Sequence, residues 1–166
     1  MTPIQLLHTA IGPALGALSD SGITDTIPAR RILLAIALQE SGLTHRRQVG
    51  ADGKESGPAS SFWQFEKGGG CRGVLGHVSV AARMRKICID FNVDATEQAL
   101  WEAMRYQDIV AAAAARLLLY TLPTSLPTTA ADGWKQYLSA WRPGKPHPDT
   151  WAGNWAEADR VVRGIA

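Results

Sequence analysis

One stretch constrains this chain more than any other. Between Pro28 and Ser41, the residues Ile32, Leu33, Leu34, Ala35, Ile36, Ala37 and Leu38 follow one another without a polar break. Stepped by three and four, positions 29, 32, 33, 36, 37 and 40 share one helical face, and Leu34, Ala35 and Leu38 cover much of the remainder. A helix that is apolar nearly all round has to be buried on every side, so other elements must wrap it. Pro28 suits its first turn and Ser41-Gly42 its end. The expected architecture is mainly α: a single domain spanning residues 1–166, built around a central buried helix at about 28–41, with little or no β-sheet. The length fits one domain, and 46% apolar against 19% charged residues excludes a disordered chain.

The flanks read as further helices. Ile4, Leu7, Ile11, Leu15 and Leu18 make one stripe over 3–18, and a second helix covers 78–91. Asp94, with Glu97 as capping-box partner, opens another that carries Leu100, Trp101 and Met104. Residues 108–120, rich in Ala and Leu, form a buried helix; 133–141 form a short one stopped by Pro143-Gly144; Asn154 caps the last. Residues 42–61 have no period and read as a long polar loop, a feature that inside a compact domain often carries function. A short aromatic, extended stretch at 61–66, a glycine turn at 68–70 and a proline-bearing loop at 122–130 complete the reading.

Glu40 is the residue with chemistry to offer. It lies on the apolar side of the most buried helix, where an ionised carboxylate is costly. It is also in the last helical turn, where the dipole's negative end opposes another negative charge. Both effects raise its pKa, and a glutamic acid still protonated near neutrality can protonate a leaving oxygen. The plainer reading is a helix-end carboxylate facing water or paired with Arg46 or Arg47.

Other features narrow the field. Net charge is only +2; Arg46 and Arg47 make one basic spot, and Arg142, Lys145, Arg160 and Arg163 make the last quarter basic. Such patches suit polyanions, including nucleic acid and acidic cell-wall polymers, and a solvated surface is the plainer reading. These residues do not gather on one recognition helix, so nucleic acid is not an expected partner, although a small helical nucleic-acid-binding protein is a competing reading. Cys71 and Cys88 do not make a disulfide framework and read as free thiols. His8, His45, His77 and His147 are scattered, so neither a metal nor any other cofactor is expected. No apolar run reaches the roughly 20 residues of a membrane span, and the start of the chain lacks the basic stretch of a secretory signal.

A resemblance sharpens this. The helix ending in Gln39-Glu40-Ser41, a polar loop, and then Gly57-Pro58-Ala59-Ser60-Ser61-Phe62-Trp63-Gln64-Phe65 resemble the lysozyme superfamily, in its branch of soluble lytic transglycosylases and g-type lysozymes. There an apolar helix ending in Glu-Ser precedes a loop and a Gly-x-x-Gly-Leu-Met-Gln segment. Residues 111–119 resemble that family's Ala-rich helix. Tyr137-Leu138-Ser139-Ala140-Trp141-Arg142-Pro143-Gly144 resembles its Ala-Tyr-Asn-x-Gly segment, with Trp141 in place of the Tyr and Arg142 in place of the Asn. The match covers about residues 28–144 and departs from the family at Phe62-Trp63 and at Trp141-Arg142.

The resemblance implies a lysozyme-like fold and cleavage of the β-1,4 bond between N-acetylmuramic acid and N-acetylglucosamine in peptidoglycan, with Glu40 as general acid. Ser41, Ser60, Ser61, Phe62, Trp63, Gln64 and Trp141 are the candidate substrate-binding residues, the aromatics by stacking on sugar faces, with Trp63 equally a candidate core residue. A hydrolase on the two-carboxylate scheme needs a partner acid, for which Asp52, Glu55 and Glu66 are candidates; a transglycosylase closes the muramic acid 6-hydroxyl onto its own anomeric carbon and needs none. The implied partner is the peptidoglycan glycan strand, met by a monomer. An enzyme of this kind without an export signal suits a bacteriophage lysis or virion-borne protein, made in the host cytoplasm and acting on the wall. A non-catalytic glycan-binding or virion structural module of the same fold is the alternative.

Overall fold

The computed structural model describes residues 1–50 and 53–164. It is mainly helical, and the expected central helix is present as α3, Ile27–Ser41. Local chemistry sets both of its ends. Thr26 Oγ1 accepts from the Ala29 amide at 3.2 Å, Pro28 lies in the first turn, and Gly42 closes the helix in the left-handed region at φ 55°. Ala29 and residues 32–37 of α3 are fully buried. Arg31 is buried with them, because its guanidinium meets Asp159 at 3.2 Å and lies over the Trp155 ring.

The chain begins with α1, Pro3–Leu6, and α2, Gly12–Ser19, joined by a π-helical turn at Leu7–Ile11, so the predicted stripe is one helix with a wider turn inside it. After α3 come the short α4, Arg72–Gly76, then α5, Ala81–Asp90; α6, Glu97–Ala103; α7, Asp108–Tyr120; α8, Ala130–Trp141; and α9, Pro148–Val162. α3 packs chiefly on α9, and α7 packs against α2, α3, α4 and α5. The alanines at 111–115 are all fully buried, and their small side chains let neighbouring helices approach α7 closely.

Three expectations need correction. Residues 42–61 are not a featureless loop: β1, Arg47–Val49, pairs antiparallel with β2, Glu55–Ser60, which pairs with β3, Phe65–Glu66, in the order β1-β2-β3. These strands lack hydrophobic alternation because the sheet is small and mostly exposed, and its position is set by long-range contacts. Arg46 makes a two-pronged ion pair with Asp108 at 2.9 and 2.7 Å, and Trp101 Nε1 donates to the Pro58 carbonyl at 2.8 Å. Second, the cap of α6 is Thr96, not Asp94; Thr96 Oγ1 accepts from the Ala99 amide, and Glu97 turns outward to Arg72. Third, α9 starts at Pro148 rather than at Asn154, because Pro148 supplies a ready first turn and Asn154 instead donates to Gln39 Oε1 at 2.8 Å.

Candidate active site

Where α3 ends, the sheet, the glycine-rich π-helical turn at Lys67–Cys71 and the end of α8 enclose a groove of about 700 Å³. That size lies in the range of small-ligand sites. Glu40 lines it, with Gln64, Phe65, Glu66, Tyr137 and Trp141.

The environment of Glu40 is specific. Tyr137 Oη donates to Glu40 Oε1 at 2.6 Å. Burial pushes the carboxyl up to about 6 from an ordinary 4.5, and the hydrogen bond from Tyr137 offsets part of that rise. Neither arginine proposed as a partner reaches it. Arg46 is taken by Asp108, and Arg47 donates to the carbonyls of Gly57 and Ser56. With Oε1 engaged by a donor, the proton of the acid form belongs on Oε2.

Tyr137 is held as firmly as it holds Glu40. Only 3% exposed, its ring stacks on Trp151 at 5.4 Å and touches Trp134 at 5.3 Å. Burial first, and then the neighbouring carboxylate, push its own pKa upward, so it remains a hydroxyl donor. The amide of Gln39 ties this corner to α9: Nε2 donates to the His147 carbonyl, and Oε1 accepts from Thr150 and Asn154.

The remaining candidate residues divide. Gln64 lines the groove in the left-handed region, at φ 50°. Its Nε2 donates to the Ser61 carbonyl at 2.8 Å, which leaves Oε1 as the amide's polar atom for a ligand. Ser61 is also left-handed, at φ 69°, so this turn carries two strained non-glycine residues. Such strain costs about 1–3 kcal/mol each and clusters at functional sites. Trp141 lines the groove; its Nε1 donates to the Trp63 carbonyl at 2.8 Å and its ring meets Phe65 edge to face.

The others are corrected by burial. Trp63 is 0% and Phe62 1% exposed, so neither ring can be offered to a sugar; Trp63 Nε1 donates to Leu33 O in the core, and Phe62 lies beneath the Arg46 guanidinium. Ser60 and Ser61 are fully buried, and Ser61 Oγ accepts from the Trp63 amide to shape the turn. Ser41 does not line the groove: its hydroxyl donates to the Ala37 carbonyl and accepts from the Leu43 amide, finishing α3. Of the candidate second acids, Glu66 lines the groove, whereas Glu55 pairs with His45 at 2.8 Å away from it. Asp52 lies outside the described residues.

Sequence reasoning missed Tyr137 as the partner of Glu40. It aligned Trp141 with the family's tyrosine, but the residue four positions earlier, on the same face of α8, provides the phenol. It also missed that Arg142, Lys145 and His147 line the groove.

Among the described residues, no group of three or more His, Cys, Asp and Glu side chains could hold a metal ion, and no helix is long and apolar enough to cross a membrane. Comparison of the chain with known proteins found no matching family model, no matching curated protein and no matching solved structure.

Proposed function

We propose that this chain cleaves the β-1,4 glycosidic bond between N-acetylmuramic acid and N-acetylglucosamine in peptidoglycan, with Glu40 as general acid. The observation that carries this reading is a glutamic acid lining a sugar-sized groove, its pKa pushed up to about 6 by burial and its geometry fixed by Tyr137. A carboxylic acid tuned to that range is both protonated often enough and acidic enough to give its proton to a leaving alkoxide.

In the proposed reaction, the Oε2 proton of Glu40 passes to the glycosidic oxygen as the bond to the anomeric carbon breaks. Positive charge develops on that carbon, opposite a carboxylate whose Oε1 is already hydrogen-bonded. The Glu40 carboxylate then takes the proton of the incoming nucleophile. If that nucleophile is the muramic acid 6-hydroxyl, the product is a 1,6-anhydro end; if it is water, the product is a reducing end. Trp141 offers apolar surface to the sugars, with Phe65 buried behind it, and Gln64 Oε1 a hydrogen-bond acceptor. Arg142, Lys145 and His147 suit a polymer that bears carboxylates. On this reading the protein acts at the bacterial wall, as a lysis or virion-borne protein would.

The test is digestion of purified peptidoglycan by the wild type and by Glu40→Gln, with mass spectrometry of the products. The expected result is soluble muropeptides from the wild type alone, carrying anhydro or reducing ends. Equal release by the variant overturns the assignment. Release by neither, with retained binding to insoluble peptidoglycan, favours the non-catalytic module.

A further inference from the structure

Away from the groove, the last turn of α7 and the loop that follows enclose a second cavity of about 420 Å³. Arg116 lines it, and Arg116 is 6% exposed. Among the described residues its guanidinium meets no carboxylate and makes no hydrogen bond, and its buried Nε is without a partner. Its one neighbour of electrostatic consequence is the Tyr120 ring, 5.5 Å away, and that ring is shared with a second cation, Arg83, at 5.3 Å. Arg83 spends its donors on the carbonyls of Ser21 and Ser79, so it brings no negative charge either.

An arginine this deeply set, with its Nε unsatisfied and no counter-charge, is costly, and proteins pair such groups or leave them to a ligand. The rest of the wall is suited to an anion. Among the described residues, the amides of Thr124, Ser125 and Leu126 have no acceptor. Gln136 Nε2 donates to Thr124 Oγ1 and to the Ser125 carbonyl, both at 2.9 Å, which fixes the loop and leaves the Thr124 hydroxyl proton free to point elsewhere. Leu119, Leu122, Pro123 and Leu126 supply an apolar side.

We propose that this cavity is a binding site for an organic carboxylate with a short apolar chain, its head on Arg116 and the amides of residues 124–126 and its chain against the leucines. A planar guanidinium fork matches a carboxylate in two-pronged fashion, and the leucines and Pro123 give a short apolar chain a surface to lie on. The site is independent of the chemistry proposed at Glu40.

The experiment is titration of the full chain with hexanoate, acetate and inorganic phosphate at constant ionic strength, followed by amide chemical shifts. Hexanoate should shift the amides of Thr124, Ser125 and Leu126 saturably, and bind about tenfold or more tightly than acetate. Arg116→Met, which exchanges an unpaired buried charge for an apolar chain, should fold and lose the response. Thr124→Val should weaken it and provides the test should Arg116→Met not fold. Absence of saturable shifts with hexanoate, or shifts unchanged in both variants, overturns the proposal. Phosphate binding as tight as hexanoate overturns the assignment of an apolar chain.

Discussion

The phenol of Tyr137 reaches across 97 residues of sequence to place its proton 2.6 Å from Glu40 Oε1. That bond joins the end of the most buried helix to α8, and it makes the protonation state of one carboxyl depend on a side chain far along the chain.

The first consequence concerns pH. The proposed acid must be protonated to act, so kcat/KM should fall as pH rises through about 6, the pKa of Glu40. Tyr137 lowers that pKa, so Tyr137→Phe should move the alkaline limb of the profile upward while reducing the maximal rate. A pH–rate profile on soluble glycan strands checks both; a limb that stays in place in Tyr137→Phe would break the link between this bond and the rate.

Stability should carry the same signature with a definite sign. The folded-state pKa of Glu40 is raised, from 4.5 to about 6, so the folded protein holds this proton more tightly than the unfolded chain. The stabilisation is complete below pH 4.5 and is lost as pH rises through 6. Glu40→Gln keeps an oxygen for the Tyr137 hydroxyl and cannot ionise. It should therefore be more stable than the wild type by about 2 kcal/mol at pH 8, and nearly equal to it at pH 4. Thermal melts at the two pH values measure the difference.

Glu66 separates two chemistries. It lines the groove and could serve as a second carboxylate. A hydrolytic route that uses it predicts a loss of about 100-fold or more in Glu66→Gln. The intramolecular route predicts a change of only a few-fold, with anhydro ends in the products. Rates and product ends, measured on one variant, decide between them.

How much of this was legible in the sequence depended on how local the cause was. The central helix was readable because its apolar faces, Pro28 and Gly42 are neighbours in the chain, and the position of Glu40 in its last turn followed from the same pattern. The strands at 47–49 and 55–60 were not readable: their residues are polar, and the ties that hold them, Arg46 to Asp108 and Trp101 to Pro58, span 62 and 43 residues. For Trp63 the sequence leaves a sugar-stacking ring and a core ring equally open, because a flat aromatic suits either. Its indole instead hydrogen-bonds to Leu33 O, thirty residues away, which no pattern of neighbours reveals.

Gly70 should be intolerant of a side chain. A Cβ there would lie 2.5 Å from Phe65 Cδ1, and Phe65 in turn packs edge to face on Trp141. Gly70→Ala should cost about 1–3 kcal/mol by overpacking and raise KM as Phe65 is displaced into the groove. Denaturant melts and steady-state kinetics test this together.

Both cysteines are free and buried, and burial pushes the Cys71 thiol up to about 12. Neither should react with a thiol reagent until the protein unfolds, and reducing agent should leave the melting temperature unchanged. A native-state thiol titration is sufficient.

Of the six tryptophans, Trp141 alone lines the groove, and its indole is pinned to the Trp63 carbonyl. The molecule therefore has an intrinsic optical reporter beside its proposed acid. An occupant that excludes water from that ring should change the ring's emission, so occupancy can be followed by fluorescence in Glu40→Gln without attaching a dye.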